Sequence, residues 1–306
     1  MINKIIEHSI HVQNRINDFS YNTLKTRGGR IGSGMGLLLE ALWGYYMNLE
    51  LMEEPIEIAW MPDHQYNDFV CLEKGIEWIP DIRKGEICRI EVKSMNSGAD
   101  ESKAHFDVLK SEICPTDLLL VLSWEWKKIS EFHYIPYIID FFIGPAIDII
   151  ELRDALHLAR GGVFVSPDNC PESSCNCSQD FCKYIGEPLN SSLKRERLSG
   201  PPEARPSAKV SYAANFGGLL RMIKTSSEES RAIFRRIRLD NDTAHRYISF
   251  IHRNYNAEEL NQFTKNEWLK IARMYNPNIL SSISKNDLYE FVKSNPNYQD
   301  LLRGIM

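Results

Sequence analysis

The apolar positions in the first half of the chain follow helical and strand-like patterns in turn. Residues 1–24 have the apolar spacing of an amphipathic helix. Residues 37–52 are apolar on all sides, so we expect a buried helix there. Further helices are predicted at residues 100–113 and in a stretch that ends near residue 160. Strand-like composition occurs in six stretches, residues 56–60, 69–72, 76–82, 87–93, 117–126 and 137–143. This order predicts an α/β fold with a mixed sheet.

The pattern changes after Ser166. Residues 166–206 contain a cysteine cluster and then a Pro-, Ser- and Arg-rich stretch without apolar periodicity, which indicates an insertion or a linker. Short helices are predicted from Thr225 onward, with capping-box starts at Asn256, Thr264 and Ser284. They either form a helix-turn-helix or simply pack on one another. The chain is therefore divided into a core at residues 1–165, a four-cysteine segment at 166–190 and a basic, helical region at 191–306.

The charge of the chain is unevenly distributed. The net charge of the 306 residues is −5, yet residues 192–246 hold twelve Lys and Arg against six Asp and Glu. A basic segment on an otherwise acidic protein indicates contact with a polyanion. Seven cysteines, the lack of a signal-peptide pattern and an acid within the apolar residues 32–49 predict a cytoplasmic protein without a membrane span.

Two acids and a lysine suggest a metal-dependent hydrolase. Pro80-Asp81 ends one predicted strand, and the next strand contains Glu91 and Lys93 on one face, because side chains alternate along a strand. Asp81 joins them if the intervening loop is odd in length or has a bulge at Gly85. Two carboxylates can hold Mg²⁺, and a cation can position water and offset developing charge during phosphodiester hydrolysis. Alternatively, Glu91 and Lys93 form an exposed pair and Asp81 is a turn residue.

The motif formed by Pro80, Asp81, Glu91 and Lys93 resembles that of the PD-(D/E)xK nuclease superfamily. The resemblance covers about residues 30–130, because the family core also has a helix before the hairpin and a helix and strand after it. It implies a restriction-endonuclease-like core with Asp81, Glu91 and Lys93 as catalytic residues, the two acids holding Mg²⁺. In many members an acid of the preceding helix contributes to the metal site, and Glu40 has that position. The alternative for Glu40 is contact with solvent or with an arginine such as Arg30.

The cysteine cluster has the spacing C-x4-C-x-C-x4-C. Four thiolates can surround one tetrahedral Zn²⁺, and a bound metal would order a segment that is otherwise too polar to fold. Iron in a four-sulfur site is equally compatible, and four free thiols in a loop are the alternative. The predicted ligands are Cys170, Cys175, Cys177 and Cys182. The three remaining cysteines, which have apolar neighbours, are predicted to lie in the core: Cys71, Cys88 and Cys114.

The basic segment provides candidates for contact with DNA. Whether they contact phosphates, read base edges or only form a solvated face stays open. These candidates are Lys194, Arg195, Arg197, Arg205 and Lys209. Together with the motif they predict a Mg²⁺-dependent type II restriction endonuclease that cuts double-stranded DNA, as a homodimer if its site is palindromic. The alternatives are a junction resolvase or repair nuclease of the same superfamily, or a zinc-containing DNA-binding regulator in which the acids are incidental.

Overall fold

The computed structural model consists of two sheets and six α-helices in the part of the chain that it describes. It describes residues 1–26, 34–61, 67–97, 110–159, 163–167, 185–189, 241–254, 263–283 and 285–294. The helices are α1 (Ile2–Thr23), α2 (Met35–Glu50), α3 (Ala146–Ala159), α4 (Asp242–Asn254), α5 (Lys265–Tyr275) and α6 (Lys285–Lys293). The strands are β1 (Ile56–Trp60), β2 (Phe69–Glu73), β3 (Glu86–Asn96), β4 (Leu118–Lys128), β5 (Tyr134–Pro145), β6 (Val163–Phe164) and β7 (Pro188–Leu189).

Strands β1 to β5 form one mixed sheet in chain order. Strands β3 and β4 are parallel, whereas the other neighbouring pairs are antiparallel. A parallel pair needs a crossover connection, and the helix predicted at residues 100–113 falls in this connection. Most of that stretch lies outside the described residues, and its end, Lys110–Glu112, forms a single 3₁₀ turn. The predicted mixed α/β sheet is confirmed.

Helices α1 and α2 cover one face of this sheet. The core between them contains apolar side chains of both helices and of strands β1 to β5, among them Ile16, Trp43, Ile90, Leu120 and Ile138. These side chains are at most 1% exposed, so their burial supplies much of the hydrophobic stabilisation of the fold. The site residues described below stand on the elements that this core joins.

Helix α2 is buried on one face only, which corrects the expectation of complete burial. Leu37 and Tyr45 are 64% and 59% exposed. On the opposite face, a Cβ atom at Gly44 would collide with the ring of Phe69, and one at Gly36 would collide with Oγ of Ser94. Asn48 also donates to the carbonyl of Ile58 and accepts from its N–H, both at 2.7 Å. These contacts fix α2 against β1, β2 and β3.

The prediction of a strand at residues 76–82 is wrong. Residues 74–85 are a loop between β2 and β3, closed by a 3.1 Å hydrogen bond from the Glu73 N–H to the Gly85 carbonyl. Pro80 begins a 3₁₀ turn, Pro80–Ile82, and has no N–H to donate to a neighbouring strand. The positive φ of +80° at Gly85 turns the chain into β3. Strand β2 therefore pairs directly with β3.

The second half of the chain is described in parts. Helix α4 packs on β5, with Tyr247 and Phe250 against Phe142. Helices α5 and α6 share a small core of their own around Trp268 and Tyr289. The capping box predicted at Thr264 is confirmed, whereas Asn256 and Ser284 lie outside the described residues. Of the helices that are described, none is long and apolar enough to cross a membrane.

Candidate active site

Strands β2 and β3 separate at one end of their ladder, and four charged residues meet there. Their last paired residues are Phe69 and Ile90, whereas β3 continues beside β4 as far as Asn96. Beyond Ile90, the next hydrogen bond to β3 from this side comes from a side chain and not from the backbone of β2. Oδ2 of Asp68 accepts a 2.7 Å hydrogen bond from the Val92 N–H. Asp68 is thereby held across from the segment of β3 that contains Glu91.

Glu91 and Lys93 lie on the same side of β3, as their spacing predicts. The Glu91 carboxylate accepts a short hydrogen bond from the ammonium group of Lys93. Glu91 is only 8% exposed. A carboxylate with so little access to water needs a cation or several donors close by. Lys93 provides one positive charge at this position.

Glu40, on α2, completes the group. Its partial burial, followed by the negative charges of Asp68 and Glu91, raises the pKa of Glu40 to about 7, although Lys93 opposes the shift. The pKa of Lys93 is lowered by burial, but the charges of Glu91 and Asp68 outweigh this and raise it above its ordinary value. In the part of the chain that the structure describes, Asp68, Glu91 and Glu40 all interact with Lys93. This electrostatic arrangement favours a further cation.

The residues fit Mg²⁺ better than a transition metal. Magnesium prefers oxygen ligands and is commonly held by one or two carboxylates while it keeps several waters. Asp68 and Glu91 offer such a pair, with Glu40 near enough to interact with both. In the described part of the chain, no three His, Cys, Asp or Glu side chains form a ready-made metal site. Consistent with this, the Glu91 carboxylate is turned toward Lys93.

Asp81 is not on a strand, so the geometric premise for its metal role is wrong. It is exposed on the 3₁₀ turn that precedes β3. The strand opposite Glu91 is β2 rather than residues 76–82, and Asp68 has the position that was expected for Asp81. Asp81 is therefore a turn residue, which is the alternative that the sequence left open.

The surroundings of Asp81 form a closed network of ion pairs. Asp117, which is fully buried, accepts hydrogen bonds of 2.8 and 2.9 Å from the two terminal nitrogens of Arg83. It also accepts from the backbone N–H groups of Arg89 and Cys114, each at 2.9 Å. Arg89 in turn donates to the Glu86 carboxylate and, at 2.8 Å, to the carbonyl of Pro80. This network joins the loop to β3 and β4.

Sequence reasoning missed Asp68. The residue directly precedes a strand that was predicted correctly, so its position at a strand end was visible. The Pro80-Asp81 pair matches the motif, so the sequence predicts that Asp81 lies opposite Glu91. Proline is disfavoured inside a sheet, and Pro80 therefore favours residues 69–73 as the partner of β3, with Asp68 opposite Glu91.

The other predicted ligands and DNA contacts lie outside the described residues. These are Cys170, Cys175, Cys177 and Cys182, and Lys194, Arg195, Arg197, Arg205 and Lys209. The described chain does hold both ends of the cysteine segment: the Val165 N–H donates to the Glu187 carbonyl at 2.8 Å, next to the β6–β7 pair. Of the remaining cysteines, Cys71 and Cys88 are buried, as predicted, whereas the prediction of a core position for Cys114 is wrong, because this residue is partly exposed.

Comparison with models of protein families, with curated proteins and with solved structures gave no significant match to this chain. The functional argument therefore depends on the residues and on the geometry of the site.

Proposed function

We propose that this chain is a Mg²⁺-dependent deoxyribonuclease, and specifically a type II restriction endonuclease that cuts double-stranded DNA. The observation that carries the proposal is the meeting of Asp68, Glu91, Lys93 and Glu40 where β2 and β3 separate. This meeting occurs in a mixed sheet in which β3 runs parallel to β4, and the sequence motif around Glu91 and Lys93 resembles that of the PD-(D/E)xK superfamily. The proposal keeps Glu40, Glu91 and Lys93 and replaces Asp81 with Asp68.

Each residue has a role that its chemistry supports. Asp68 and Glu91 would hold Mg²⁺, and Glu40 would add a further carboxylate on the side of α2. The bound ion would offset the charge of the scissile phosphate and supply a coordinated water for the attack. Lys93, which pairs with Glu91 in this structure, would donate to a phosphate oxygen or to the attacking water. The Val92 N–H keeps the Asp68 carboxylate oriented.

DNA binding is assigned to the basic segment. Lys194, Arg195, Arg197, Arg205 and Lys209 supply charge for contacts with the DNA backbone, which hold a protein in register without reading sequence. A homodimer would place one active site on each strand of a palindromic sequence.

The four cysteines are proposed to bind one structural Zn²⁺ or iron ion. The paired strands β6 and β7 bring the two ends of the segment close together. Elemental analysis should find about one equivalent of metal per chain, and Cys175→Ser should lose it and lower thermal stability. A metal-free preparation with full stability would contradict this assignment.

Cleavage of plasmid DNA tests the proposed activity. The protein with Mg²⁺ should convert the plasmid into discrete fragments, and EDTA should prevent this. Glu91→Gln should abolish cleavage while binding of the same DNA persists, because the scissile phosphate no longer meets this negative charge. A smear or trimming from the ends would point to a repair nuclease. An absence of cleavage together with sequence-specific binding would point to the regulator.

A further inference from the structure

Asn67, the residue before Asp68, has a buried side-chain amide whose hydrogen bonds are not satisfied among the described residues. It is 7% exposed. Neither its amide nitrogen nor its amide oxygen has a hydrogen-bond partner among the residues that the structure describes. Buried polar groups are nearly always hydrogen-bonded, because leaving them unpaired is costly. An orphaned amide therefore needs an explanation.

The backbone at Asn67 explains only part of this choice of residue. Its φ is +85°, in the left-handed region that glycine adopts without strain and asparagine tolerates better than most residues. Glycine would satisfy the backbone here and leave no unpaired amide. The side chain of Asn67 is therefore a cost that the turn alone does not require.

We infer that the amide of Asn67 binds the scissile phosphate of the DNA substrate. This inference rests on the proposed nuclease function and adds a substrate-binding residue to it. The amide nitrogen donates to a non-bridging phosphate oxygen, and the amide oxygen accepts from a water beside it. Asn67 directly precedes Asp68, whose carboxylate accepts from the Val92 N–H just beyond the last β2–β3 pair, so the backbone of Asn67 lies at the end of the ladder where Glu91 stands.

A neutral donor suits this position for an electrostatic reason. Asp68 follows Asn67 directly, and both Asp68 and Glu91 interact electrostatically with Glu40. Another carboxylate here would repel the phosphate, whereas an amide adds a donor without adding negative charge. The hydrogen bonds that Asn67 lacks among the described residues would then be made to the substrate.

Two substitutions test this inference. Asn67→Gly keeps the left-handed backbone and removes the amide, so thermal stability should be unchanged or higher while kcat falls at least about tenfold. Asn67→Asp keeps the side-chain shape and adds a charge, so it should raise KM as well as lower kcat. Thermal unfolding and steady-state cleavage of an oligonucleotide that contains the mapped cut site provide both readouts.

A sulfur substitution at the scissile phosphate separates a direct contact from a structural role. Replacing one non-bridging oxygen with sulfur should slow the wild type more than it slows Asn67→Gly, because the variant has already lost that hydrogen bond. Equal slowing of the two proteins, a wild-type rate in Asn67→Gly, or a lower melting temperature of that variant would each overturn the inference. If the wild type does not cut, or if Asp68→Asn still cuts, the proposed function itself fails and this inference fails with it.

Discussion

Two acid-rich regions of the molecule lie beside β3, and they differ in how their charges are balanced. Next to the start of β3, Asp117 and Glu86 are matched by Arg83 and Arg89. Where β2 and β3 separate, three acids interact with the ammonium group of Lys93, and the pKa of Glu40 rises to about 7, first because of burial and then because of the other two acids.

We propose that this difference reflects a structural role for the first region and a functional role for the second. A network whose charges are paired and hydrogen-bonded stabilises the fold and makes no demand on a ligand. An excess of partly buried charge of one sign is stable only with a counter-ion or with a proton retained, and shifted pKa values of this kind concentrate at functional sites. The two regions should therefore respond differently to substitution.

The largest effect on stability is expected in the balanced network. Asp117→Ala removes the acceptor of both Arg83 nitrogens and of two backbone N–H groups, and should lower the free energy of unfolding by about 3–5 kcal/mol. Asp117→Asn keeps part of these bonds and should cost less. Urea unfolding measures both values. The folded fraction of Asp117→Asn should cut DNA at close to the wild-type rate, and a large loss of activity per folded molecule would contradict a purely structural role.

For Lys93, the expected effect is slightly smaller and concerns the activation free energy of cleavage, not the free energy of unfolding. Lys93→Ala should lower kcat by about 10²–10³-fold, which corresponds to about 2.7–4 kcal/mol, because a donor to the developing charge is lost. Mg²⁺ binding should persist, since an ammonium group is not a metal ligand. Single-turnover cleavage and calorimetric titration with Mg²⁺ separate the two effects. Unchanged turnover would exclude Lys93 from the chemistry.

Glu40 should make stability depend on pH in the absence of metal. Its folded pKa, about 7, lies above that of an unfolded glutamate, so the folded protein keeps a proton that the unfolded chain releases. The contribution of Glu40 to the free energy of unfolding is therefore fully present below about pH 4.5. It declines by about 1–3 kcal/mol as the pH rises toward 7.

The matched control is Glu40→Gln, which lacks the titrating group. In EDTA, the wild type should lose more stability than this variant between pH 5 and pH 8, as measured by urea unfolding. Parallel pH profiles for the two proteins would contradict the account of Glu40. With saturating Mg²⁺, the difference should shrink, because the ion favours the charged carboxylate.

The elements with strong periodicity could be predicted from sequence. The helices at residues 1–24 and 37–52 and five of the six strands are present close to their expected bounds. Apolar spacing specifies these elements directly, because each buries a recurrent set of side chains. The exception is residues 76–82, which contain strand-like apolar residues. Pro80 within this stretch, and Gly75 and Gly85 on either side of it with positive φ, produce a loop instead.

The site could be predicted only in part, for a related reason. Glu91 and Lys93 are two residues apart on one strand, so local alternation brings them together. Asp68 is brought to them by strand pairing across 23 residues, which local patterns do not specify. The strand-like composition of residues 76–82 predicts that Asp81 lies opposite Glu91, whereas in the structure β2 pairs with β3 and Asp68 lies there. Glu40 is a candidate already from its position in the preceding helix, whereas the burial and the repulsion that raise its pKa emerge only in the folded chain.

A direct comparison of Asp68→Ala with Asp81→Ala tests the central claim. Both remove one carboxylate near β3, and both can be assayed for cleavage of the same plasmid with Mg²⁺ under single-turnover conditions. Asp68→Ala should lose at least about 10³-fold in rate while it remains folded and binds DNA, whereas Asp81→Ala should stay within about twofold of the wild type. A wild-type rate in Asp68→Ala, or a loss of activity confined to Asp81→Ala, would contradict the proposed active site.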